Sequence, residues 1–128
     1  MGLKFKIMDG GRENIIVKKT LEFSFAIIEY VELLEEKKKF IVAKQLLRSG
    51  TSVGANVYEA QAAESRADFI HKFKLAAKEV EETKYWLVLC QHSKSYPKCE
   101  HLLCLLKDIE KIIGRIIVSS KEGVSNKK

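Results

Sequence analysis

Five residues, Gln45, Arg48, Ser52, Asn56 and Glu59, recur at steps of three, four, four and three. On a helix that spacing gathers all five within about a quarter of the circumference. Further along the chain Glu79, Glu82 and Trp86 form a comparable row. If the two rows face each other, Arg48 pairs with a carboxylate, and Ser52 and Asn56 find hydrogen-bond partners across the interface. Catalysis would need more. An arginine and a few carboxylates, with no nucleophile and base in register and no phosphate-binding loop, do not make a reaction centre. The rows therefore read as a structural polar network that fixes helix register and subunit pairing. Loss of Arg48 should then strand a partly buried carboxylate and harm the fold more than loss of Lys111. No enzymatic activity is expected.

A second constellation is rich in soft ligands. Cys90, His92, Cys99, His101 and Cys104 cluster around one interruption in the helical pattern. Their spacing matches no structural zinc pattern, and Cys90 and Cys104 fall on apolar helical positions, where a free thiol packs as a small hydrophobe. Three cysteines are an odd number, in a chain long enough to bury a core without disulfides. Free thiols, no metal and no cofactor are expected.

The third constellation is basic. Lys107, Lys111 and Arg115 recur every four residues on the side of a C-terminal helix away from its Leu/Ile seam, and His71, Lys74 and Lys78 do much the same earlier. A solvated bundle exterior is one reading. Because the stripes themselves carry almost no acids, the other is a track for nucleic-acid phosphates that reads no bases. The formal net charge of +6 leans the same way, and it is unevenly distributed: residues 96–128 hold seven bases against four acids, whereas residues 21–40 hold three against five.

The elements that must position these rows are helical. With 128 residues, one proline and a charged share of 31 %, the chain has the length and composition of one ordered all-α domain. Apolar residues recur at Val17, Leu21, Phe25 and Ile28, and again at Phe23, Ile27, Tyr30 and Leu34. A first helix with two such rows has an apolar face wider than one bundle buries, which predicts oligomerisation. Residues 40–63 include Ser49-Gly50-Thr51-Ser52-Val53-Gly54, a run of poor helix formers. Leu46, Val53, Val57 and Ala60 nevertheless keep one face, so one helix is predicted, with Gly50 and Gly54 admitting a close neighbour.

Ser65, with Asp68 three residues on, signals a new helix start. From there Phe69, Phe73, Ala76, Val80, Thr83, Leu87 and Cys90 alternate spacings of four and three, a seam for bundle packing. Lys94 to Pro97 breaks the run, and Leu102, Leu106, Ile109, Ile113 and Ile116 carry a fourth helix to about Ser120. The expected architecture is an antiparallel up-down-up-down four-helix bundle over residues 15–121, between a mobile arm at 1–14 and a disordered basic tail at 122–128. No apolar run approaches the roughly 20 residues of a membrane span, and the first residues lack the apolar core of a secretion signal. A cytoplasmic protein without membrane contact is expected.

Residues 44–60, Lys-Gln-Leu-Leu-Arg-Ser-Gly-Thr-Ser-Val-Gly-Ala-Asn-Val-Tyr-Glu-Ala, resemble the second-helix signature of the four-helix-bundle family also called 23S rRNA intervening-sequence proteins. Asp68-Phe69-Ile70 and Lys78-Glu79-Val80-Glu81-Glu82-Thr83-Lys84-Tyr85-Trp86-Leu87 are similar to that family's next signature, so the likeness spans roughly residues 15–120. The resemblance implies an antiparallel bundle assembling as a homopentamer in bacteria, with some members encoded within insertions in ribosomal-RNA genes. The family is also similar to the accessory variability protein of diversity-generating retroelements, a basic pentameric barrel that binds nucleic acid and a reverse transcriptase. Many members have Gly where this chain has Ala60, a departure that favours an unbroken helix there.

Together these readings lead to a non-enzymatic oligomer that binds RNA or DNA through Lys74, Lys78, Lys107, Lys111 and Arg115. The competing reading is a scaffold for a protein partner, with the basic faces serving solubility alone.

Overall fold

Asn14 opens the first helix by accepting a hydrogen bond from the Val17 N–H at 3.4 Å, one of the N–H groups that a helix start leaves without an intrahelical partner. The computed structural model describes residues 14–125, with side chains as far as Glu122. Four helices follow in order: α1 Ile15–Glu36, α2 Phe40–Ala60, α3 Arg66–His92 and α4 Glu100–Ser125. Of the expected arm at residues 1–14, residues 1–13 lie outside the described residues, and Asn14 is the cap of α1. The helical span runs further than the seam alone indicated. α4 continues past Ser120 to Ser125, so the first four residues of the expected tail, 122–125, are helical in spite of Gly123, a poor helix former.

Each helix packs on its chain neighbours, and α4 closes the ring against α1. Named contacts fix the directions. An added Cβ at Gly50 would meet Ile27, and one at Gly54 would meet Thr20 and Ser24, so α2 descends as α1 ascends. Arg48 pairs with Glu79 and Glu82 while Glu59 pairs with Lys72, which makes α2 and α3 antiparallel. Lys84 with Glu110, and Arg66 with the Ser120 carbonyl, do the same for α3 and α4. The bundle is antiparallel throughout, and no helix among the described residues is long and apolar enough to cross a membrane.

The core is drawn from the predicted seams. Phe23, Ile27 and Leu34 of α1, Leu46, Val53 and Val57 of α2, Phe73, Val80 and Leu87 of α3, and Leu102, Leu106, Ile109 and Ile113 of α4 are all buried. The poor helix formers at 49–54 stay helical because Gly50 and Gly54 let α1 come close. An added Cβ at Gly50 would lie 3.0 Å from Ile27 side-chain carbons, and at Gly54 3.3 Å from Thr20. Tertiary packing here outweighs propensity. At Ala60 the helix stops rather than running on, with Gln61 as its cap residue.

Short joints tie the ends. Ser65 caps α3 as predicted, accepting from the Asp68 N–H at 3.0 Å. After α1, the Lys38 N–H donates to the Glu35 carbonyl at 2.9 Å and the Lys39 N–H to the Leu34 carbonyl at 2.8 Å. These two bonds are the Schellman termination, which needs a left-handed residue at Lys38, and its φ is 63°. Glycine adopts that conformation freely, whereas a side chain is crowded by the carbonyl that follows. Lys38→Gly is therefore expected to stabilise the fold by about 1 kcal/mol, read as a higher urea midpoint at unchanged slope.

Candidate nucleic-acid interface

The second and third helices face each other as their polar rows require, and Arg48 sits between two carboxylates. Its guanidinium hydrogen-bonds Glu82 and lies 3.5 Å from Glu79, while the Trp86 indole N–H donates to Glu82 at 3.3 Å. The Arg48 hydrogen bond, supported by that of Trp86, holds the Glu82 carboxyl below its usual range, and Glu82 in turn raises Arg48. Glu59 takes Lys72 at 2.9 Å, an ion pair that the sequence reading did not contain.

Two expectations for this row need correction. Ser52 and Asn56 do not reach across to α3. The Ser52 hydroxyl donates to the Arg48 carbonyl at 2.6 Å, and the Asn56 amide to the Ser52 carbonyl at 2.9 Å, because a short side chain finds the preceding turn of its own helix before any neighbour. Gln45 makes no side-chain hydrogen bond among the described residues. The network is also wetter than expected. The Arg48 side chain is 50 % exposed, so its removal would leave Glu82 to water. Glu79 differs: its Oε1 is buried without a hydrogen bond and has Arg48 as its one ion-pair partner among the described residues, so loss of Arg48 would strand that carboxylate.

The soft ligands disperse. Cys90 and Cys99 enter the core beside Tyr30, whereas Cys104, His92 and His101 are exposed. The Cys99 thiol donates to the Leu87 carbonyl at 3.3 Å. Burial pushes the Cys90 thiol up to about 11 and raises Cys99 and the Tyr30 phenol as well. Both thiols are thus protonated at neutral pH and pack in the core as small hydrophobes. Among the described residues no three His, Cys, Asp or Glu side chains converge on one point.

The basic rows are exposed and unpaired. Lys74 and Lys78 project from α3, and Lys107, Lys111 and Arg115 from α4. Among the described residues none of the five reaches a carboxylate at ion-pair distance, whereas Lys72 and Lys84 of the same α3 are tied to Glu59 and Glu110. The contacts Lys84–Glu110 and Arg66–Ser120 set α3 against α4. Interpolated between them, Lys74 and Lys78 stand level with the turns that carry Lys111 and Arg115. Four lysines therefore share the outer side of one helix pair. Arg115 leans away, since it follows Ile109 by about 240° of helix rotation whereas Glu110, toward α3, follows by about 100°. It stands at the edge of the face on the α1 side.

One basic cluster was missed. Lys37, Lys38 and Lys39 end α1, and Lys94 and Lys98 lie in the joint before α4. Lys39 sits over the Tyr96 ring at 5.0 Å, and the Tyr30 hydroxyl donates to the Pro97 carbonyl, so both joints occupy one end of the bundle. The signal was the run Lys37-Lys38-Lys39-Phe40 itself, hidden by averaging it with the five acids of residues 21–40.

An ion-paired pair of central helices, a glycine-packed first pair and a basic outer face without ion pairs among the described residues define a basic four-helix-bundle protein. The sequence profile of the family described as 23S rRNA-intervening sequence protein matches residues 12–117, and the chain belongs to that family. Among solved structures it is similar to a protein of unknown function from the S23 ribosomal protein family of Bacteroides thetaiotaomicron VPI-5482. The two are 42 % identical with a TM-score of 0.76, over 80 % of this chain and 97 % of that one. No curated protein matches the chain.

Proposed function

We propose that this chain is a non-enzymatic, cytoplasmic, oligomeric protein that holds RNA or DNA by its phosphates, on the outer face formed by α3 and α4. The observation that supports it is the contrast between Lys72 and Lys84, which are neutralised within the fold, and Lys74, Lys78, Lys107 and Lys111, which are not. Unpaired lysines along one face can neutralise phosphates and release the nucleic acid's condensed counterions without reading bases. Retention of duplex DNA, structured RNA and single-stranded RNA in a salt series tests the reading. Binding to none of them at about 50 mM salt would leave the scaffold reading in its place.

Self-association is the second half of the proposal. The contacts of Gly50 with Ile27 and of Gly54 with Thr20 bring the outer apolar residues of α1 level with those of α2. Ile28, Leu47 and Tyr58 thereby line one side of this helix pair, and Tyr58 is 60 % exposed. A second copy covering that side would bury apolar surface that the single bundle leaves wet. Light scattering at micromolar concentration is expected to give a mass several times the 14.6 kDa of the chain, five times if the assembly is a pentamer. Ile28→Glu should lower that mass, and a wild-type mass near one chain would overturn the assembly.

A further inference from the structure

The end of the bundle that carries the α1–α2 and α3–α4 joints presents a combination that the helix faces lack. Lys37, Lys38, Lys94 and Lys98 surround it, all exposed. Beside them stand the two most solvent-exposed apolar residues of this region, Phe40 at 59 % and Ile41 at 81 %. Glu35, Glu36 and Glu100 are nearby in sequence. Among the described residues, however, no carboxylate comes within ion-pair distance of any of these lysines. Lys98 is held by the Gln91 carbonyl at 2.8 Å, which fixes its ammonium at this end without neutralising it.

Three further features set this end apart. Lys38 occupies a left-handed position that glycine would fill without strain, so the fold carries a cost for keeping a charge there. Lys39 is committed to the Tyr96 ring, which stiffens the joint and leaves Phe40 as the open aromatic face. α2 begins without a side-chain cap and without an acid in its first turn, so nothing in its own first turn offsets the positive end of its dipole. Unpaired cations around an exposed ring are the arrangement by which proteins hold unpaired nucleotides, with the ring stacking a base and the lysines meeting phosphates. A duplex, whose bases are already stacked on one another, cannot use the ring.

We infer that this end of the bundle is a second nucleic-acid site, selective for single strands, in which Phe40 stacks a base and Lys37, Lys38, Lys94 and Lys98 contact the flanking phosphates. It rests on the nucleic-acid reading of this protein and adds to it a preference that the α3–α4 face does not have.

The test uses the full-length protein and a DNA strand of roughly twelve nucleotides carrying 2-aminopurine, alone or annealed to its complement. Phe40→Ala should weaken single-strand binding about tenfold and abolish the quenching of 2-aminopurine, with duplex binding unchanged. Phe40→Trp should retain both. The combined variant Lys37→Gln, Lys38→Gly, Lys94→Gln, Lys98→Gln removes four charges, and its glycine favours the native joint. It should flatten the single-strand log-log salt slope by about 3.

Equal single-strand affinity for Phe40→Ala and wild type would overturn the inference. So would Phe40-dependent sedimentation with vesicles containing about 30 % phosphatidylserine in the absence of single-strand binding, since the apolar tip would then be a membrane contact. The two proposals fail separately. Duplex binding with no effect of Phe40→Ala defeats only the second site, whereas Phe40-dependent single-strand binding without duplex binding defeats only the α3–α4 face.

Discussion

Replacing Lys107, Lys111 and Arg115 together by glutamate is expected to abolish binding of duplex DNA while leaving helicity and oligomeric mass unchanged. All three side chains point away from the buried seam of Leu102, Ile109 and Ile113, and none has an ion pair to lose among the described residues. The fold therefore has little reason to respond, since surface substitutions away from special features fall within about 0.5 kcal/mol. Binding has every reason to. If the wild-type protein neutralises about four phosphates, its log-log salt slope should lie near −3.6, a loss of about 150-fold between 50 and 200 mM salt. Reversal turns two of the four contributing lysines, and Arg115 at the edge of the face, into repulsive charges. A triple variant that binds duplex as tightly as wild type would end the phosphate-track reading. So would a wild-type affinity insensitive to salt.

Gly50→Val is expected to destabilise the bundle by about 3 kcal/mol, the largest stability effect anticipated for a single added side chain here. The first added carbon would already stand 3.0 Å from two carbons of Ile27, and Ile27 is fully buried. Overpacking of this kind costs about 1–3 kcal/mol, and the two further methyls of valine fall in the same α1–α2 seam. The helix propensity gained on leaving glycine, less than about 1 kcal/mol for valine, does not offset it. Ile27→Ala alone should cost about 2–5 kcal/mol by opening a cavity. In the double variant the valine fills that cavity, so the combined loss should fall short of the sum by about 1 kcal/mol or more. Urea denaturation of the four proteins in the cycle measures it. Strict additivity would show that α1 and α2 do not meet through these two residues.

The polar row shows how far local spacing carries a functional argument. Arg48, Glu79 and Glu82 were brought together because residues three and four apart share a helix face, and the antiparallel pairing of α2 and α3 needed nothing more than short joints. Their solvent exposure was not readable in the same way. Whether a polar row lies inside a helix pair or along its rim depends on which way each helix is rotated, and the apolar rows of both helices settle that jointly. Arg48 fell at the rim, with Trp86 and Glu82 beside it. Ser52 and Asn56 turned back to their own carbonyls for a related reason: both are too short to cross from the rim.

What the sequence determined by itself was therefore periodic and local. It contained four helices, the seams that face the core, the Ser65 cap, the continuity of α2 through Gly50 and Gly54, and the two basic stripes, since each depends on residues within a few turns of one another. The tertiary structure decided what depends on pairs far apart in the chain. It placed Cys90 and Cys99 beside Tyr30 as protonated core groups, neutralised Lys72 and Lys84 while leaving Lys74 and Lys78 free among the described residues, and brought the Lys37–Lys39 joint against Lys94 and Lys98. A run of lysines that averages away among neighbouring glutamates becomes a basic surface only once the fold has set it against a second joint, because electrostatic potential sums over distance in space and not along the chain.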